Sequence, residues 1–167
     1  MEKKLPDLQA RNRGFTLLLA ALVASITLAL GASIYEIAQK EVTLSSVGRD
    51  SQYAFYAADT AAECALYWDS RYQSFPTSTL KAVQIMCDGQ TRMTSDSSLS
   101  VTIQGNAMVS SFQFEPNGNC ATVTVSKTVD VATGNFSTLV HADGFNTVCD
   151  VVSVSPRALQ RSVELHY

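Results

Sequence analysis

The chain has 167 residues, which suits one domain, and it is 46% hydrophobic but only 16% charged, against a usual charged share of roughly 25%. That balance excludes a disordered, highly charged chain. Twelve Lys and Arg against fifteen Asp and Glu give a net charge of −3, so no basic stripe is present to neutralise phosphates and no nucleic-acid partner is expected. Two histidines, His141 and His166, leave few candidates for metal or acid–base chemistry.

The first fourteen residues carry Lys3, Lys4, Arg11 and Arg13 against Glu2 and Asp7, a positive cap on an otherwise acidic chain. Phe15 to Tyr35 follow without a single charge. As a helix this run spans roughly 31 Å, about one bilayer core. Its only hydroxyl residues before the final Tyr35 are Thr16, Ser25, Thr27 and Ser33, with no polar face at the helical period, which sets it apart from the core helix of a soluble protein. Basic residues ahead of the span predict a cytoplasmic N-terminus and an exported remainder. A cleavable signal peptide, cut after Ala29-Leu30-Gly31 and before Ala32, is the alternative. Against it stand the abrupt Arg13-Gly14-Phe15 junction and a helical pattern that runs past the cut.

Arg13-Gly14-Phe15-Thr16-Leu17-Leu18 resembles the processing site of type IV prepilins and pseudopilins. The resemblance rests on motif over residues 1 to about 70 and on architecture beyond. It implies that a prepilin peptidase cuts after Gly14 and that Phe15 becomes the N-methylated start. It also implies assembly with other pilins through the N-terminal helix, driven by inner-membrane machinery after residence in the lipid bilayer. Most major pilins have Glu at the fifth mature position, where this chain has Leu19. A buried amine without a counter-charge is costly. A subunit lacking that carboxylate fits where no neighbour's amine needs it, so the resemblance is to minor pilins and tip pseudopilins.

From Glu36, apolar or small residues recur at Ile37, Leu44, Val47, Ala54, Ala58, Ala61, Ala65 and Trp68, at steps of three, four and seven. Lys40, Arg49, Asp50, Asp59, Glu63 and Asp69 are assigned to the opposite side. An unbroken helix from Phe15 to about Ser70 is expected, about 84 Å long. Gly31 and Gly48 are its weakest points.

Residues 72–98 are rich in Ser and Thr, with Pro76 and Gly89 as breakers, and read as a structured connecting loop. Beyond them alternation of period two appears at Val101/Ile103, Phe112/Phe114 and Val123/Val125/Val129, and again over Leu159 to Tyr167. Pro116-Asn117-Gly118-Asn119 and Asp143-Gly144 read as turns. Four to six antiparallel strands with one apolar face are expected, covered by helix residues 50 to 70. The fold class is therefore α+β, a long helix on an antiparallel sheet, as in pilins. The chain divides into a leader at 1–14, a membrane or filament-core half-helix at 15–35, an amphipathic half at 36–71, the connection at 72–98, and the sheet at 99–167.

Cys64, Cys87, Cys120 and Cys149 lack CxxC spacing or a nearby His pair, so no metal site is expected. Three pairings are possible. Cys64–Cys87 and Cys120–Cys149 are favoured, because the first ties the helix to the loop and the second joins parts of the sheet. Each could add roughly 3.5 kcal/mol in an oxidising compartment.

GxSxG, GxGxxG, P-loop and HExxH motifs are absent, so no enzyme and no cofactor is expected. His141 near Asp143, and the Asp59/Glu63 pair four apart on one helix face, read as solvated polar groups. Asn135-Phe136-Ser137 matches a glycosylation sequon. The expected function is a structural subunit, minor or at the tip, of a type IV pilus or type II secretion pseudopilus. It would reside as a single-pass inner-membrane protein and then in an extracellular or periplasmic filament. The alternative is a secreted or signal-anchored binding domain of adhesin type.

Overall fold

A computed structural model describes residues 13–130 and 132–167. Residues 1–12, most of the expected leader, lie outside the described residues, and of Arg13 and Gly14 only the helical backbone is described. Helix α1 runs Arg13–Tyr72, 60 residues, two longer at each end than the expected span. The described residues divide into two compact units, one ending at residue 46 and one over 47–167.

In the first unit the described residues form helix only, and from Phe15 onward every residue is exposed. Phe15, Leu18, Leu22, Ile26, Leu30, Ile34 and Ile37 are all among these open apolar side chains.

The second unit is an α+β head. The C-terminal part of α1 packs on one face of an antiparallel sheet in the order β3-β4-β5-β6-β7. The strands are β3 Leu99–Gln104, β4 Ala107–Phe114, β5 Ala121–Val129, β6 Phe136–Phe145 and β7 Gln160–His166. Each strand pairs with the next in sequence, so the sheet is a simple meander. The inner face carries Phe112 and Phe114 of β4, Val123 and Val125 of β5, and Val140 and Ala142 of β6. The helix meets them with Ala54, Ala58, Ala61 and Ala65, all fully buried, on the stripe expected from spacing. Ala57 and Ala62 widen that stripe. Small side chains let the helix backbone approach the sheet closely.

Three expectations are corrected. The segment 72–98 holds a hairpin, β1 Gln84–Cys87 with β2 Gln90–Met93, closed by Asp88 and Gly89, both at positive φ. This is the geometry of a tight two-residue hairpin turn. Ile85 and Cys87 point into the core. Asp143-Gly144 is not a turn but lies inside β6, paired with Ser162 and Arg161 of β7. Asp69 does not join the polar side of α1: it lies four residues after Ala65 on the buried stripe and is 4% exposed. The Pro116–Gly118 segment does turn the chain between β4 and β5, with Asn117 and Gly118 at positive φ.

Candidate functional site

The N-terminal segment is chemically simple. Within the apolar run, Ser25 donates to the Leu22 carbonyl at 2.8 Å, Thr27 to Ala24 at 2.9 Å and Ser33 to Ala29 at 3.0 Å. Hydroxyls folded back on their own helix are satisfied without water, which suits hydrocarbon surroundings. Among the described residues, one helix is long and apolar enough to span a membrane. Leu19 is exposed, as are its neighbours Leu18 and Leu22.

Both favoured disulfides form. Cys64–Cys87 links α1 to the end of β1. Beside it, the Trp68 indole donates to the Met86 carbonyl at 2.9 Å and fixes the same hairpin. Cys120–Cys149 joins the residue before β5 to a 3-10 turn at Cys149–Val151, and so ties loops at the sheet's end instead of strands within it. Glu115 accepts from the Cys149 amide at 2.7 Å and closes the same corner.

On the outer face of the sheet, polar residues converge across β6 and β7. The register sets His141 opposite Glu164 and Asp143 opposite Ser162. His141 contacts Glu164 through Nδ1 at 3.1 Å and Asp143 through Nε2 at 3.2 Å. His166 contacts the other Glu164 oxygen at 2.7 Å. The hydrogen bond to Glu164, followed by the Asp143 charge, raises the His141 pKa against the opposing effect of partial burial. Hydrogen bonds from His166 and then His141 lower that of Glu164. This is a cross-strand ion ladder in water. Among the described residues, no group of three His, Cys, Asp or Glu is arranged to hold a metal ion. Asp59 is half-buried and Glu63 exposed, and no ion pair joins either of them to another described residue. Asn135 sits in the exposed turn before β6.

The most unusual arrangement was hidden by alternation. Along β5 the inward phase reads Ala121, Val123, Val125 and then Lys127, which is 7% exposed. Its Nζ lies 2.6 Å from Asp69 Oδ1. The Tyr167 hydroxyl donates to the other Asp69 oxygen at 2.9 Å, and burial together with the Asp69 charge raises the Tyr167 pKa. The three groups come from α1, β5 and the residue after β7, and they close the core at the end of the helix. A cleft of about 540 Å³ opens onto them, walled by the 73–81 segment, Phe136 and Thr138. The sequence clue was a Lys on an apolar strand phase together with an Asp on an Ala stripe.

Comparisons with family models, with curated proteins and with solved structures gave no match.

Proposed function

We propose that this chain is a structural subunit, minor or at the tip, of a type IV pilus or type II secretion pseudopilus. The observation that carries the reading is the change in character along α1. Its apolar residues are exposed on every side over 15–46 and buried on one side only over 54–69. The first pattern requires lipid or other apolar helices as surroundings. The second belongs to a water-soluble head.

In this reading the basic leader stays cytoplasmic, the span 15–35 sits in the inner membrane, and the head is exported. Two disulfides support an oxidising destination. A prepilin peptidase cuts after Gly14, and the assembly machinery moves the apolar helix from lipid into a bundle of other pilins. Leu19, lacking a carboxylate for a neighbour's amine, suits a position at the end of that bundle. Substituting Leu19→Glu is expected to shift the subunit from the tip into the shaft.

Intact mass of the mature protein tests the reading. Filament processing removes residues 1–14 and adds one methyl, about 14 Da. Signal-peptide cleavage would instead remove about 31 residues and overturn it. A second reading, an extracytoplasmic binding domain, is favoured by the cleft beside Lys127.

A further inference from the structure

The cleft at the end of α1 has a composition that a purely architectural role does not require. Lys127 is more than nine-tenths buried, yet among the described residues its ammonium has one partner, Asp69. An ammonium carries three N–H donors, so two remain for whatever occupies the cleft. Asp69 is already shared between Lys127 and Tyr167. Lys81, also in the lining, donates to the Gln73 carbonyl at 2.6 Å and pairs with no described carboxylate. Of the charged lining residues, two are cationic and one anionic, which leaves the cleft at +1.

The rest of the lining narrows the ligand further. Ser70, Ser78, Thr79 and Thr138 contribute hydroxyls, each able to donate and accept. Phe136, 58% exposed, offers a ring face at the rim with no aromatic partner among the described residues. A phosphate dianion would bring one charge more than the single excess cation offsets, and neither Arg nor a helix N-terminus is present in the lining to balance it; α1 meets the cleft at its C-terminal end. An apolar peptide would leave the Lys81 ammonium and the lining hydroxyls without partners. A sugar ring carrying one carboxylate matches all three features: hydroxyls against hydroxyls, a C–H face against Phe136, and one negative charge against the excess cation. The volume of about 540 Å³ lies within the range of small-ligand sites.

We infer that this cleft binds an acidic saccharide, with Lys81 and Lys127 holding its carboxylate and Phe136 stacking on its ring. The inference concerns the head alone and stands whether or not the chain enters a filament.

The test is calorimetric titration of the full chain in detergent micelles with methyl galacturonide, which carries one carboxylate, beside the neutral methyl galactoside. Saturable binding of the acidic sugar is expected, with the neutral one at least about tenfold weaker, the size of one charge-assisted hydrogen bond. Lys81→Gln and Phe136→Ala alter exposed residues and leave the core intact; each is expected to weaken binding about tenfold. The double variant Asp69→Leu with Lys127→Met, which strands no buried charge, should abolish it, and near-UV circular dichroism checks that this variant keeps the fold. Absence of saturable binding, equal binding of the neutral sugar, indifference to Lys81→Gln, or stronger competition by inorganic phosphate or a short acidic peptide would each overturn the inference.

Discussion

Gly144 in β6 sits directly beneath Ala54 of α1, so close that a Cβ on Gly144 would overlap the Ala54 carbonyl oxygen and the Ala58 amide nitrogen. It would also lie 3.0 Å from the Ala57 carbonyl carbon. The obstacles are backbone atoms, which cannot rotate away as a side chain can. Hydrogen at this position is what allows the Ala stripe to press against the sheet and seal Val140 and Ala142 beneath it. Gly144→Ala is therefore expected to destabilise the head by at least about 2 kcal/mol through overpacking. Urea unfolding followed by near-UV circular dichroism measures it. A midpoint equal to that of the unmodified chain would show that the helix can lift at no cost.

The buried pair makes a different prediction. Lys127 and Asp69 are nearly dehydrated, so removing one partner strands the other's charge. Asp69→Ala is expected to cost about 3–5 kcal/mol. Replacing both, Asp69→Leu with Lys127→Met, removes the stranded charge and should recover most of that loss. Tyr167→Phe, which deletes one hydrogen bond to the charged Asp69, should cost about 1.5–3 kcal/mol, less than Asp69→Ala. The ordering of these three variants in the same unfolding assay is the check. A double variant no better than Asp69→Ala would mean that the pair acts through shape, not charge.

A buried hydroxyl points the other way. Ser110 lies on the inward phase of β4 between Met108 and Phe112, 1% exposed, and its Oγ has no hydrogen-bond partner among the described residues. An unpaired buried hydroxyl costs desolvation and gains nothing in return. Ser110→Ala is expected to raise stability by about 1 kcal/mol. A loss of similar size would reveal a buried water on that oxygen.

How much of this could be read from the chain alone is clearest at its two Asp-Gly dipeptides. Asp143-Gly144 looked like a turn and is strand, because the demand on Gly144 comes from a helix some ninety residues earlier in sequence. Asp88-Gly89 lay in a stretch read as loop and is the actual hairpin turn, with both residues at positive φ. Local chemistry was the same at both; tertiary contact decided between them. The long helix, the Ala stripe and the cysteine pairing were legible because each depends on spacing within one element or on a small number of pairings. Lys127 and Asp69 were not, since either residue alone reads as surface. Only their meeting, 58 residues apart, lets both be buried.

The outer-face ladder carries the pH dependence. His141 has a raised pKa, first through its hydrogen bond to Glu164 and then through the Asp143 charge. Its contribution to stability is therefore full below the ordinary histidine value of 6.5 and is lost as pH rises through the raised folded value. Glu164 has a lowered pKa, through His166 first and His141 second, so its contribution is present above its ordinary 4.5 and is lost as pH falls through the depressed value. The two windows overlap between 4.5 and 6.5, where the ladder stabilises the β6–β7 edge most. In His141→Gln the excess of the unmodified chain's Tm over the variant's should peak in that interval. It should shrink on either side and diminish with added salt, as expected for exposed charges. A Tm difference independent of pH would assign His141 a packing role and remove the ladder from the account.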